Sequence, residues 1–415
     1  MKSFEAITGC RVCGHAGLVT VLSLGDHPLA NALTASPDAV EDRYPLTLMF
    51  CDECGLVQIA ETVDKSALFS HYVWVTGTSS TARQFARQFY ELATQVRPLA
   101  SRDLVVEVAS NDGTFLRPFV ESGVRAIGVD PAANIAEMAN AAGIRTQCAF
   151  WSGGVAHDIV ASEGRASLVV ARNVIAHVSD LHEVVGAISD VLHEDGVAAI
   201  EFHAAQSILE GLQYDSIYHE HLCYFSATSF ERLLRQHGLH PFHVEFSPIS
   251  GGAQVIYSSR TTRRATVGYV ALLERERVAG VTDRAAWQGF GERCLAHRER
   301  SRELVATCAT RNVVAFGASA RSATYLNFCG FTRREIAAVI DNAPLKHGRF
   351  TPGSAIPVVT ADEGFAMRPD LLFILAWNFR DEIIESCRRR GYAGEFLVPF
   401  PDAPHVVSVT AETLT

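Results

Sequence analysis

No window of this 415-residue chain holds the roughly 18 uninterrupted apolar residues that a membrane-spanning helix needs. The opening stretch, from Met1 to Cys10, lacks the apolar core of a secretory signal, so a cytoplasmic location is expected. Positive charge is in deficit too. A formal net charge of −10 argues against bulk binding of nucleic acid or of an anionic membrane surface. An anionic substrate would need a local basic pocket working against that field. Neither a short-period repeat nor a low-complexity segment occurs, and no complete Gly-x-Gly-x-x-Gly fingerprint follows an apolar run. What remains, 48% hydrophobic and 20% charged residues, is ordinary for a globular enzyme, and the length allows two to four domains.

The ten cysteines fall into two kinds. Cys148, Cys223, Cys294, Cys308, Cys329 and Cys387 are scattered in apolar or helical surroundings and read as free core thiols of a reducing compartment. Cys10-x-x-Cys13 and Cys51-x-x-Cys54 form two knuckles. Four thiolates give zinc a closed tetrahedral shell with no position left for water, so a structural zinc is expected. Two disulfides, four free thiols and a catalytic zinc are the alternatives.

Hydrophobic patterning divides the chain into an N-terminal zinc-binding region (1–70), a central domain (71–262), a helical connection (263–310) and a C-terminal domain (311–415). Short strands and turns surround the cysteine pairs. Helices are expected over Asp64–Phe69 and Thr81–Val96. Apolar runs at Leu104–Val108, Ala126–Val129, Ser167–Ala171 and Val197–Phe202 then alternate with helical stretches at Ala132–Ala142 and Leu181–Leu192. The alternation predicts an α/β, doubly wound parallel sheet. A second alternating region begins at Val313, with strands expected at Ile336–Ile340, Leu371–Ala376 and Glu395–Val398. Two nucleotide-type pockets are therefore conceivable.

The first apolar strand runs into Glu107-Val-Ala109-Ser-Asn111-Asp112-Gly113. S-adenosylmethionine-dependent methyltransferases carry an acidic residue and then small ones at this position. Small residues admit the methionine part of the cofactor, and the carboxylate meets its ammonium. Asp130 ends the next strand, where an acidic side chain suits ribose hydroxyls. Asn173 follows the Ser167–Ala171 strand, and Phe150 with Trp151 is placed to cover the adenine. Binding of NAD is the weaker alternative, because Ala109, Asn111 and Thr114 stand where glycines belong and Asp112 would repel a pyrophosphate.

The run Tyr218-His219-Glu220-His221 sets four proton-handling residues side by side. In an extended segment Glu220 would oppose the two histidines, whereas in a loop all of them could converge. His177 stands four residues from Asn173, which in a helix shares its face and brings it to the cofactor edge. His237, His240 and His243 read as structural or solvated residues of a helix-to-strand connection.

Taken in order, these motifs resemble the deoxysugar C-methyltransferases of antibiotic biosynthesis: the paired Cys-x-x-Cys, Val-Glu-Val-Ala-Ser-Asn-Asp-Gly, Tyr-His-Glu-His-Leu-Cys-Tyr-Phe-Ser and Gly317-Ala-Ser-Ala-Arg-Ser. Matching stretches at Asn327, Asp341, Arg349 and Leu375 extend the resemblance over nearly the whole chain. It implies a zinc-binding region, a methyltransferase domain and a C-terminal Rossmann-like domain. It further implies C-methylation, at carbon 3 or in some members carbon 5, of a thymidine-diphosphate (TDP)-linked 4-keto-6-deoxysugar. The general base falls on His221, its supports on Glu220 and Tyr218, a second histidine on His177 and an N-terminal tyrosine on Tyr72. Neutral His221, with a pKa near 7, would remove the proton next to the ketone. His177 or a tyrosine hydroxyl would then donate to the enolate oxygen. In the C-terminal domain Ser319, Arg321, Lys346 and Asn378 are read as substrate contacts, with the diphosphate over a helix N-terminus. The alternative there is that Gly317 and Ala318 serve only close helix–strand packing. Two segments depart from the family pattern: Ile249-Ser250-Gly251-Gly252 stands for His-Gly-Gly, and Glu201-Phe202-His203-Ala204 for an acidic residue followed by Pro-Tyr. The competing classes are a transferase acting on a non-sugar acceptor, an NAD-dependent oxidoreductase or epimerase, and a zinc-bearing binding module.

Overall fold

In a computed structural model the structure describes residues 4–64, 68, 75–248, 251–401 and 403–408. Two small sheets open the chain. β1 (Phe4–Ala6), β2 (Leu18–His27), β3 (Tyr44–Cys51), β4 (Val57–Ile59) and β5 (Glu61–Val63) follow one another, with β1 on β5 and β2-β3-β4 forming an antiparallel meander. β3 alternates apolar inward residues (Leu46, Leu48, Phe50) with less buried ones, as a one-sided antiparallel sheet requires. The expected helix over Asp64–Phe69 lies mostly outside the described residues, and Tyr72 lies wholly outside them.

The central sheet contains β6 (Leu104–Val108), β7 (Arg125–Asp130), β8 (Thr146–Cys148), β9 (Ala166–Arg172), β10 (Leu192–His203), then β12 (His240–Ser247) and β13 (Ala253–Ser259), in the order β12-β13-β10-β9-β6-β7-β8. β13 runs antiparallel to both neighbours and the rest are parallel. The expected doubly wound parallel sheet is thus present in β6 to β10, and the antiparallel β12 and β13 extend one edge of it. β12 and β13 are joined by a short loop, which serves a hairpin but is too short for a parallel crossover. His240 and His243 accordingly stand on β12 and not in a connection. On one side, the helix Ser80–Val96 is started by the Ser79 side chain, which accepts from the Ala82 N–H. Its Phe85, Phe89 and Ala93 pack with Val105 and Val170 in one buried cluster. β11 (Cys223–Tyr224) leaves this domain to pair with β4 as the edge of the N-terminal sheet.

Two helices, Val267–Ala279 and Arg284–Thr307, lead to the last domain. There β14 (Val313–Phe316), β15 (Ala338–Ile340), β16 (Val358–Val359), β17 (Leu371–Ile374), β18 (Glu395–Val398) and β19 (His405–Val407) lie in the order β16-β15-β14-β17-β18-β19, parallel except for β19. Each large sheet thus has a topological switch point, between β6 and β9 and between β14 and β17, where connections diverge and leave a crevice. Among the described residues no helix is long and apolar enough to cross a membrane.

Candidate active site

At the β6/β9 switch lies a cavity of about 280 Å³, lined by Glu107, Ala109, Asn111, Asp130, Phe150, Trp151, Asn173 and His177 among others. Sharp turns shape it. Ala109, Asn111 and Asn173 all adopt positive φ, near 50°, a strained state for residues with a side chain and one that gathers at functional sites. Gly128 allows the loop to close on β7, since a Cβ there would meet Ser110 Oγ at 2.2 Å. Asp130 does more than line the cavity. Its oxygens accept from the Asn111 and Ala132 backbone N–H groups at 2.9 Å each, tying the loop to the end of β7. Asn111 Oδ1 and Asp112 Oδ2 accept from the Thr76 and Gly77 N–H groups, at 2.8 and 3.0 Å. The side chain of Asp112 is therefore turned to the 76–78 turn and Thr114 and is not on the cavity wall.

Glu107 is 3% exposed, and its Oε2 has no hydrogen-bond partner among the described residues. Burial pushes its carboxyl up to about 8, against the pull of the Arg172 guanidinium. An orphaned carboxylate oxygen in a cavity edged by small residues suits an ammonium-bearing ligand, and Phe150 and Trp151 offer the aromatic surface for its base. The residues present thus fit S-adenosylmethionine. Arg172 itself is paired with the buried Glu201 at 2.5 Å and lies 3.2 Å from the centre of the Phe115 ring, so it acts as a wall.

The Tyr218–His221 run neither extends nor converges; it turns, and its side chains part. His219 Nε2 donates to the Pro45 carbonyl at 2.9 Å and its ring meets Tyr44, facing the N-terminal sheet. Both Glu220 oxygens accept from Asn31 Nδ2, at 2.8 and 2.9 Å, and burial raises its pKa to about 7. Its carboxylate is thus engaged away from His221, which corrects the expectation that Glu220 orients that imidazole. Tyr218 supplies the contact: its hydroxyl lies 2.8 Å from His221 Nε2. His221 Nδ1 lies 3.1 Å from the Ser216 carbonyl, which can only accept, so Nδ1 carries the hydrogen and Nε2 presents a lone pair. His177, in a 3-10 turn and not on an α-helical face shared with Asn173, sets its ring 4.8 Å from that of His221. His177 Nδ1 donates to the Glu220 carbonyl at 2.5 Å. Burial lowers the His177 pKa to about 4 and that of His221 well below its ordinary value. His221 is therefore held neutral, and its pKa lies below the value near 7 that the sequence reading gave it.

Asn31, which holds the Glu220 carboxylate, escaped the sequence reading. Asn31 sits in a loop with no motif around it.

At the C-terminal switch Gly317, with φ 99°, lies so near Ala376 that a Cβ would approach its Cβ at 2.5 Å. The expected substrate contacts there are already engaged. Ser319 caps the helix Ala320–Cys329 in a capping box with Ser322. Arg321 Nε and Nη2 donate to the two oxygens of buried Asp215 at 2.9 Å each, beneath the Trp377 ring. Lys346 Nζ donates to the Ala318 carbonyl and to Asp341. Asn378 lies in the turn Trp377–Phe379 beside Gly251. Arg321 and Lys346 are therefore ion-paired, not the free cations that the sequence suggested.

Cys10, Cys13, Cys51 and Cys54 bring their four sulfurs within 4.8 Å of one another, with closest pairs at 3.5 and 3.6 Å. No disulfide joins them. Sulfurs about 2.3 Å from a tetrahedral zinc stand about 3.8 Å apart, so the cluster fits that metal. Of the six scattered cysteines five are buried, while Cys148 is exposed at the end of β8, contrary to the reading of all six as core thiols.

Family models match three successive stretches: one described as "Putative zinc binding domain" over 10–69, a methyltransferase domain over 81–244, and a C-methyltransferase C-terminal domain over 248–401. Over 409 residues the chain is 34% identical to C-methyltransferase NovU of Streptomyces niveus, covering 97% of each. Looser overlaps occur with solved structures. Magnesium protoporphyrin IX methyltransferase of Synechocystis PCC 6803 with bound SAM shares 9% identity at TM-score 0.32, over 43% of this chain and 79% of that one. A methyltransferase from Clostridium acetobutylicum shares 12% at TM-score 0.34, over 44% and 93%.

The sheet order, the cavity at its switch point and the methyltransferase-domain match together define an S-adenosylmethionine-dependent methyltransferase, with zinc in the cysteine cluster. Identity that runs from end to end narrows the class, and the chain belongs to the C-methyltransferase family. The oxidoreductase and binding-module alternatives fall with that assignment.

Proposed function

We propose that the enzyme methylates carbon 3 of a TDP-linked 4-keto-6-deoxysugar, through an enolate formed by His221, in the cytoplasm and in the service of antibiotic sugar biosynthesis. The observation that supports this most is the tautomer of His221, with Nδ1–H held by the Ser216 carbonyl and the Nε2 lone pair beside His177, which itself lines the cofactor cavity. A poised neutral base is what abstraction of a carbon-bound proton next to a ketone needs. An oxygen acceptor has less use for it.

S-adenosylmethionine supplies an electrophilic methyl group. Glu107 would take its ammonium, Asp130 its ribose and Phe150 with Trp151 its adenine, while the loop Ala109–Asn111 with Asn173 would shape the wall. The substrate C–H displaces the Tyr218 hydroxyl from His221 Nε2, and the proton passes to that nitrogen. Tyr218 then steadies the imidazolium, and the nucleophilic carbon faces the cavity across His177. Tyr72 is assigned to the same site from the family pattern alone. We assign the nucleotide to the β14/β17 switch, over Ser319 and Asn378, where Arg321 Nη1 and the remaining Lys346 hydrogen offer donors. The division at 1–70, 71–262, 263–310 and 311–415 belongs to the same reading.

The test is incubation with TDP-4-keto-6-deoxyglucose in heavy water, with and without cofactor, followed by NMR and mass spectrometry. Deuterium at carbon 3, and one added methyl group there with cofactor, is the expected result. In folded His221→Ala both should fall together by about 10²–10⁴-fold. Methyl transfer to oxygen, or undiminished exchange in the variant, would reject the reading.

A further inference from the structure

The wall of the cofactor cavity is drawn from two separate stretches of chain. Thr76 and Ala82 precede β6, and the other lining residues lie between Glu107 and Val184. A cavity built this way stays closed only where the two stretches are fastened to each other. The fastening lies at the 3-10 turn Thr76–Thr78, which leads into the helix Ser80–Val96.

Two successive backbone N–H groups of that turn are taken by two successive side chains of the cofactor loop. The Thr76 N–H donates to Asn111 Oδ1 at 2.8 Å, and the Gly77 N–H donates to Asp112 Oδ2 at 3.0 Å. In an extended segment neighbouring side chains point to opposite faces, so both could not reach one turn. The left-handed φ of Asn111, 50°, breaks that alternation and brings both side chains to the same side. The two Asp112 oxygens have separate tasks. Oδ1 accepts from the Thr114 hydroxyl at 2.7 Å and from its N–H at 3.3 Å, which shapes the loop's own turn. Oδ2 reaches across to Gly77. The approach is so close that a Cβ at Gly77 would meet Thr114 Oγ1 at 2.8 Å and Asp112 Oδ2 closer still, so only glycine fits undisturbed. Arg83 Nη1 holds the other side of the turn by donating to the Gly77 carbonyl. Beyond it Phe85 and Phe89 anchor the helix in the core. A carboxylate that accepts from a backbone N–H makes a charge-assisted bond, among the stronger ones available.

We propose that Asp112 is a positioning residue whose Oδ2 clasps the 76–78 turn to the cofactor loop and so closes the cavity wall over bound S-adenosylmethionine; this rests on the assignment of that cavity to the cofactor and not on the sugar acceptor.

The test uses the full chain and compares wild type, Asp112→Ala, Asp112→Asn, Gly77→Ala and the double variant that combines Asp112→Ala with Gly77→Ala. Amide hydrogen exchange is read without ligand and with S-adenosylhomocysteine, and the affinity for S-adenosylhomocysteine is measured by calorimetry. Asparagine can turn its Oδ1 to Gly77 and give an Nδ2 hydrogen to Thr114 Oγ1, so it keeps the clasp. Gly77→Ala leaves the Asp112–Thr114 turn in place and breaks the clasp from the other side. Each of Asp112→Ala and Gly77→Ala should weaken S-adenosylhomocysteine binding about tenfold and speed exchange over residues 75–79 by a similar factor in the free protein. The double variant should bind no worse than the weaker single one, and Asp112→Asn should stay within about threefold of wild type. Exchange within the helix at 85–93 should not change. Wild-type affinity in folded Asp112→Ala and Gly77→Ala, equal losses in Asp112→Asn and Asp112→Ala, or single losses that add in the double variant would overturn the clasp. Failure of S-adenosylhomocysteine to slow exchange over 107–113 in wild type would overturn the cavity assignment and the clasp together.

Discussion

Glu220 is the residue whose role differs most from its motif. Neighbouring His221 suggests an acid/base partnership, but the carboxylate is buried against Asn31 and carries a pKa raised to about 7 from 4.5. A raised carboxyl binds its proton more tightly folded than unfolded. Its contribution to stability is therefore complete below pH 4.5 and is lost as pH rises through about 7. The shift corresponds to about 3 kcal/mol across that window. Glu220→Gln stays neutral at every pH and keeps one acceptor for Asn31. Urea unfolding at pH 5 and pH 8 should show wild type losing more stability than the variant between the two, by an amount of that order. An identical pH slope in both proteins would mean that the carboxyl titrates normally. The sequence identified Glu220 as chemically active but not the direction in which it points, because a turn after Ile217 sends Tyr218 and His221 one way and His219 and Glu220 the other.

Among the elements, the short 3-10 turn Tyr214–Ser216 links two domains to His221. Asp215 in that turn takes both Arg321 donors and the Trp377 Nε1–H at 2.8 Å, all from the C-terminal domain. The next residue, Ser216, supplies the carbonyl that fixes the His221 tautomer. Removing one charge from a buried pair leaves its partner uncompensated, which typically costs 3–5 kcal/mol. Asp215→Asn should therefore lower the unfolding free energy by about 3 kcal/mol and reduce methyl transfer, while binding of S-adenosylhomocysteine at the β6/β9 switch, whose cavity Asp215 does not line, stays as in wild type. Chemical denaturation, a turnover assay and calorimetry check the three parts, and turnover equal to wild type would uncouple the turn from the base. This linkage was invisible in the sequence. Strands Leu104–Val108 and Glu395–Val398 were legible to the residue because buried parallel strands read as continuous apolar runs. Their neighbours β7, β9 and β10 were found with ends displaced by one to five residues. The polar bonds between Arg321 and Asp215, 106 residues apart, leave no periodic trace, and so an ion-paired arginine looked like a free phosphate ligand.

For the whole molecule, the cysteine cluster and His221 belong to one mechanical unit although the chain separates them by more than 150 residues. β11 begins two residues after His221 and completes the N-terminal sheet by pairing Cys223 with Gln58 and Tyr224 with Val57. Gln58 Oε1 accepts from the backbone N–H of Arg11, inside the first cysteine knuckle, and the Arg11 guanidinium reaches the carbonyls of Ile59 and Glu61. The Ile59 N–H donates to the Leu222 carbonyl at 3.0 Å, one residue from His221. The N-terminal region also holds Glu220 through Asn31 and His219 through Pro45. Four thiolates gathered in a largely buried site have no reason to stay together without a metal, so the sheet edge that carries β11 depends on it. Zinc removal should then abolish proton exchange at the substrate and methyl transfer together. The cofactor cavity at the β6/β9 switch is walled by residues between Thr76 and Val184 of the central domain, so S-adenosylhomocysteine should still bind. Chelation followed by calorimetry, exchange and turnover measurements on the full chain separates these outcomes, and restoration by added zinc completes the comparison. Exchange that persisted after verified loss of the metal would show that the Tyr218–His221 turn holds its shape without the zinc domain. Loss of cofactor binding as well would mean that the metal sustains the entire fold and not the base alone.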